Sequence, residues 1–256
     1  MASTTAGLDL QQVFDQCVAE GSTIRPPQEQ LDPKLYAEMK KHFTQNRGKW
    51  KGGKLQHFEF PFPAEELLNK MQAGERPNFK REFHYFPTPP EVIEDMCNLH
   101  FLMDSHRILE PSAGQGAIIE GVNAFVQMDP KHRWVTIEAD PTNREVLKQK
   151  GFAPVHDNFD TYETDERFEA CFANPPFNRD TAHVEKIADL LDEQGSAVIV
   201  LPAGWDTRDK KTRALMERFE LEFHDIQRRS VSAGTFKGTG VAAMILGLLY
   251  KRGADE

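Results

Sequence analysis

Ile108-Leu109-Glu110-Pro111-Ser112-Ala113-Gly114-Gln115-Gly116 reads as a short apolar strand running into a glycine turn, with a helix-spaced segment, 117–127, behind it. Such a turn lets a ligand approach the backbone closely, at the carboxyl edge of a sheet where open α/β folds bind ligands. A phosphate-cradling loop would close on Gly-Lys-Ser/Thr, but Ala117 and Ile118 follow Gly116. A dinucleotide turn would need glycine or alanine at position 119, where Ile119 stands, and its pyrophosphate would sit poorly beside Glu110. An acid at this place suits a ligand with a positive amino group, such as the methionine end of S-adenosylmethionine (SAM).

Around this turn the same rhythm repeats. Helices are predicted over 89–102, 143–150, 182–193 and 209–217, alternating with strands at 106–110, 134–138, 153–156, 170–173 and 197–201. The last two strands, about 220–227 and 241–250, are too close for a helical crossover and read as an antiparallel pair. Apolar strands alternating with helices imply an α/β fold whose mostly parallel sheet is covered on both faces.

Residues 1–82 read as an extension that precedes this domain, 83–256. Helical spacing over 8–19 is broken by 21–27, and Asp32-Pro33 resembles an N-cap followed by proline at the first helical position. Lys51-Gly52-Gly53-Lys54 resembles a hairpin turn with His57-Phe58-Glu59-Phe60 returning, and 63–72 reads as a helix closed by Gly74. The extension is therefore expected to be helix-rich with a basic hairpin. A net charge of −9 argues against nucleic acid as a partner for the chain as a whole. Locally, however, seven basic residues between Lys34 and Lys54, among them Lys49, Lys51 and Lys54, face one acid, Glu38. Cys17, Cys97 and Cys171 are odd in number and far apart, and the histidines lack ligand spacing, so no disulfide framework and no metal are expected. The apolar run 240–250 is too short for a bilayer and no charged-then-apolar leader opens the sequence. A cytoplasmic protein is expected.

The second informative stretch is Asn174-Pro175-Pro176-Phe177, after the apolar run 168–173. Each proline fixes its own φ and restricts the residue before it. The carbonyls of Asn174 and Pro175 then point in set directions beside the Asn174 amide oxygen. Such acceptors suit an exocyclic amine, and Phe177 offers a stacking face. Glu138, at the end of the strand 134–138, could accept both hydroxyls of a ribose, and Asp157 or Asn158, after the strand 153–156, could bond an adenine amine.

Phe86-Pro87-Thr88-Pro89, the turn from Glu110 to Gly116, Glu138 and Asn174-Pro175-Pro176-Phe177, in this order and spacing, resemble class I SAM-dependent methyltransferases. More narrowly they are similar to adenine-N6 DNA methyltransferases with the gamma motif order, phage-borne members included. The resemblance covers about 83–250. It implies a Rossmann-like, seven-stranded, mostly parallel sheet with one antiparallel strand, and SAM as cofactor. Thr88 would touch the cofactor carboxylate. Glu110, Pro111, Ser112, Ala113, Gly114 and Gly116 would surround its amino-acid end, with Glu138 on the ribose and Asp157 and Asn158 at the adenine. Asn174 and Pro175 would accept from the target amine, held by Pro176, while Phe177 stacks on the flipped base. Phe236, and Lys237 beside it, stand where the family makes a second contact to that base. The sequence ends six residues after Tyr250, without the family's usual C-terminal target-recognition domain. Discrimination would then fall to the extension or to the loops 178–181 and 228–239, with Arg228 and Arg229 on the nucleic-acid side.

The expected activity is methyl transfer to adenine N6 in DNA by a stand-alone phage or prophage modifier that protects against restriction. Adenine in RNA and a protein glutamine amide present the same planar NH2 and remain alternatives, as does a non-catalytic partner subunit.

Overall fold

The structure, a computed structural model, describes residues 8–82, 86–100, 107–127, 133–236 and 240–253. The chain divides into two compact units, Met1–His84 with Asp140–Glu145, and Tyr85–Ala139 with Val146–Glu256.

In the first unit α1 (Leu10–Asp15) is opened by a capping box between Asp9 and Gln12. Strands β1 (Val18–Glu20) and β2 (Thr23–Arg25) follow, then α2 (Pro33–Gln45). Asp32 caps α2 by accepting from the N–H groups of Lys34 and Leu35, and Pro33 takes the first position, where no N–H is needed. Strands β3 (Lys49–Lys51) and β4 (His57–Glu59) form the expected antiparallel hairpin, and α3 (Glu65–Gln72) and α4 (Phe79–Glu82) complete the unit. Its strands form one antiparallel sheet in the order β1-β2-β4-β3. The break expected at 21–27 is thus a second hairpin turning at Gly21 (φ +56°). Three-residue strands are too short to show alternation, which is why the pattern hid them. Phe14, Phe43, Phe58, Phe60 and Phe62 make the core of this unit. Arg47, counted in the basic run, spends its guanidinium inside the unit, donating to both carboxylate oxygens of Asp140.

The second unit contains α5 (Pro90–Cys97), β5 (Ile108–Glu110), α6 (Ala117–Val126) and β6 (Trp134–Thr136). Helix α7 (Pro141–Lys150), of which Val146–Lys150 belong to this unit, β7 (Phe168–Ala173), α8 (Asp180–Leu190) and β8 (Leu191–Pro202) come next. A 3-10 turn at Trp205–Thr207 leads into α9 (Lys210–Glu222), β9 (Phe223–Val231) and β10 (Ala243–Lys251). The strand order is β6-β5-β7-β8-β10-β9, with β6, β5, β7 and β8 parallel and β10 antiparallel to both its neighbours.

Among the described residues the sheet has six strands where seven were expected. The segment 153–156 runs beside β6 and, among the described residues, contributes one isolated parallel bridge, His156 to Ile137. Pro154 has no N–H to give to a ladder, and the chain turns at Asn158. The expected helix end at 101–102 and strand start at 106 lie outside the described residues.

Side chains alternate across the sheet into two cores. Leu109, Cys171, Ala173 and Ile199 join Val184, Leu215 and Phe219 on one face. Ile108, Ala170, Phe172 and Val198 join Val92, Ile93, Ile118 and Val122 on the other. Burial of both faces is what the unbroken apolar strands require.

Candidate active site

Strand pairing sets three strand ends side by side. Glu110 pairs with Thr136, and Leu109 with Cys171, so β5 lies between β6 and β7 at the point where the chain order reverses. Glu110 ends β5, Glu138 lies two residues beyond β6, and Asn174 follows β7. The turn after β5 is stitched to the extension of β6: the Ile137 N–H donates to the Glu110 carbonyl and the Ala113 N–H to the Ile137 carbonyl, both at 3.0 Å. Gly114 (φ +55°) and Gly116 (φ +85°) adopt the left-handed conformation, and Gly116 opens α6. The Glu138 carboxylate accepts from the Gly114 N–H at 2.6 Å, fixing the turn against the acid. Pro111 and Ala113 are buried beside it and Ser112 is half-buried.

Glu110 is 1% exposed, and its Oε2 has no hydrogen-bond partner among the described residues. Burial first, and then the nearby charge of Glu138, push its carboxyl well above the usual carboxylate range. A buried acid oxygen without a donor costs free energy unless a ligand supplies one. A primary ammonium group is such a ligand, so the residues present fit the amino-acid end of SAM.

At the end of β7 the Asn174 Nδ2 donates to the Thr88 hydroxyl at 3.1 Å, and Thr88 is buried. Pro175 is buried and Pro176 exposed, and the Pro176 carbonyl accepts from the Arg179 N–H at 2.8 Å to close the turn. Phe177 is 40% exposed, which leaves the ring open to a ligand at the end of this turn.

Other expected site residues are placed as follows. Asp157 is exposed, 3.6 Å from His156 Nδ1, and Asn158 accepts from the Asp160 N–H at 2.9 Å, which closes an Asx turn. Phe236, expected at the target base, is packed in the core with Val231, Ala243 and Ile245; a base contact would require the ring to leave that cluster. Lys237 lies outside the described residues. Arg228 and Arg229 are engaged by Asp206 and Asp95. In the first unit Lys49, Lys51 and Lys54 are exposed, with Lys51 2.9 Å from Glu59. The sequence reading missed a cluster of Asp160, Arg179, His183 and Lys186, because no local pattern signals a pairing between two loops.

No family model and no curated protein matches the chain. Solved structures share its fold at low sequence identity. The type I restriction enzyme EcoKI M protein superposes with a TM-score of 0.54 at 16% identity, over 74% of this chain and 51% of that one. The type I restriction-modification methyltransferase subunit from Streptococcus thermophilus gives 0.53 at 15%, over 75% and 50%. A dimethyladenosine transferase from Plasmodium falciparum gives 0.54 at 16%, over 66% and 64%. The fold is that of the Rossmann-like methyltransferases, and the chain spans about half the length of the type I subunits it matches.

Proposed function

We propose that the protein is a SAM-dependent methyltransferase that acts on the N6 amine of adenine in nucleic acid, with DNA as its substrate. The observation that carries this reading is the Asn174 to Phe177 turn, oriented by Thr88 and set one strand away from the buried carboxyl of Glu110, whose Oε2 has no hydrogen-bond partner among the described residues.

When bound, SAM supplies a methyl group on a sulfonium centre. Glu110 would pair with its amino group, Glu138 would accept from its ribose, and Asp157 would take its adenine amine. An adenine amine is a weak nucleophile because its lone pair is delocalised into the ring. The Asn174 amide oxygen and the Pro175 carbonyl would accept from its two N–H groups. These bonds strengthen as positive charge grows on the nitrogen, so they stabilise the transition state more than the ground state. A base inside a duplex cannot reach such a turn and must be flipped out at a cost of a few kcal/mol. Stacking on Phe177 offsets part of this, by roughly 1–3 kcal/mol. The exposed Lys49, Lys51 and Lys54 would hold phosphates.

A methyl group on N6 lies in the major groove, where it removes a donor that restriction enzymes read. We propose protection of a phage or prophage genome as the biological role. A second reading, adenine in RNA, is favoured by the fold shared with the dimethyladenosine transferase. Labelled methyl incorporation from SAM into DNA, RNA and protein, compared side by side, tests the substrate class. Label in DNA supports the first reading, label in RNA alone the second, and label in protein alone or nowhere contradicts both.

A further inference from the structure

Two loops of the second unit, both belonging to the proposed site, are fastened to each other by one carboxylate. Residues 156–162 follow the bridge beside β6 and carry Asp157 and Asn158. Residues 174–179 leave β7 and carry Asn174 and Phe177. Asp160, in the first loop, accepts on Oδ2 from both Nε (3.1 Å) and Nη2 of Arg179, in the second. Its Oδ1 lies 3.4 Å from Nε2 of His183, a ring 6% exposed that meets Phe159 edge-on at 5.0 Å.

Each end of this pair is anchored in its own loop. The Arg179 N–H closes the turn on the Pro176 carbonyl at 2.8 Å, and the Arg179 carbonyl accepts from the His183 N–H at 3.0 Å within α8. The Asp160 N–H is held by Asn158 Oδ1. Lys186, further along α8, donates to the carbonyls of Phe159 (2.6 Å), Asp160 (3.3 Å) and Tyr162. The 156–162 loop is therefore tied to Arg179, and through its backbone to the turn that starts at Pro176 and holds Phe177.

We propose that Asp160 is a positioning residue: through Arg179 and His183 it sets the spacing between the loop facing the cofactor's adenine and the turn receiving the target amine. The inference rests on the methyltransferase reading. Asp160 touches neither reactant in this scheme. The side chains of Arg179 and Asp160 are 53% and 30% exposed, and a pair so open to water adds little to global stability. Alignment is more sensitive, since a misplacement of about 1 Å at reacting groups costs about 10²-fold in rate.

The test uses the full chain, with Asp160→Ala and the conservative Asp160→Glu, and three readouts. These are hydrogen exchange in the peptide covering residues 174–183, the single-turnover rate of methyl transfer, and SAM affinity. For Asp160→Ala we expect exchange at the amides of residues 177–179 to rise, and transfer to slow, by about tenfold or more. SAM affinity should stay within about threefold, and Asp160→Glu should recover both properties to within about fivefold. Wild-type exchange and rate in Asp160→Ala would overturn the proposal. So would a rate loss that follows loss of SAM binding and is not repaired by glutamate, because that is general damage to the fold. A wild-type protein that transfers no methyl group would overturn the methyltransferase reading itself, while hydrogen exchange would still decide whether Asp160 couples the two loops.

Discussion

Thr88 accepts a hydrogen bond from the Asn174 side-chain amide at 3.1 Å, so the amide oxygen is the end of Asn174 left to receive a donor. A bond of this kind is worth about 1 kcal/mol, which corresponds to roughly fivefold in rate when it holds a reacting group in place. Thr88→Ala should slow single-turnover methyl transfer by about that factor, up to about tenfold, while Thr88→Ser stays near wild type. Equal rates in Thr88→Ala and wild type, at saturating SAM, would remove Thr88 from this role.

Glu110 titrates with a defined sign. Burial, and then the Glu138 charge, raise its carboxyl in the folded chain above the ordinary glutamate value. The stability this contributes is fully present below about pH 4.3 and is lost as pH rises through the raised value. Glu110→Gln should therefore match wild type in acid and exceed it at pH 8, with roughly 2–4 °C in Tm for each kcal/mol recovered. The same substitution should weaken SAM binding by about tenfold or more, since a charge-assisted bond to its ammonium group is lost. Calorimetry at the two pH values, with and without SAM, reads both effects. A variant that binds SAM as tightly as wild type would show that Glu110 does not face the amino group.

The basic hairpin gives a salt-dependent prediction. Lys49 and Lys54 are exposed, Lys51 shares its charge with Glu59, and Arg47 is committed to Asp140. Replacing Lys49, Lys51 and Lys54 by alanine should weaken DNA binding and lower the slope of log affinity against log salt by about 2–3. An unchanged slope would make the run a solvated face.

Gly121 tests the packing beneath the site. A Cβ at this position would lie 2.7 Å from Ile93 Cγ2, where α6 crosses α5. Alanine in a helix interior normally gains up to about 1 kcal/mol over glycine. Here overpacking should outweigh that, with a net loss of about 1–3 kcal/mol in chemical denaturation. A stabilised Gly121→Ala would mean that α5 can retreat freely.

Much of this was legible in the sequence for physical reasons. A strand buried on both faces must be apolar throughout, so β5, β7 and β8 announced a covered parallel sheet. The left-handed Gly114 and Gly116 and the stiff Asn174-Pro175-Pro176 turn are local requirements, written at the positions that need them. What stayed hidden depends on partners distant in sequence. The hydrogen bond between Thr88 and Asn174, the core packing of Phe236 and the pairing of Asp160 with Arg179 have no local signature. The strands β1 and β2 were missed because three residues do not establish a period.

In the proposed reaction Asn174 receives an adenine amine and the methyl group ends on N6. The most direct measurement is N6-methyladenine in digested nucleosides by mass spectrometry, after incubation of methylation-free DNA, and separately of unmodified RNA, with SAM and either wild type or Asn174→Ala. Wild type should yield N6-methyladenine, and Asn174→Ala, folded and still binding SAM, should lose about 10²-fold or more. No N6-methyladenine from the wild-type protein in DNA or in RNA, or the same yield from Asn174→Ala, would contradict it.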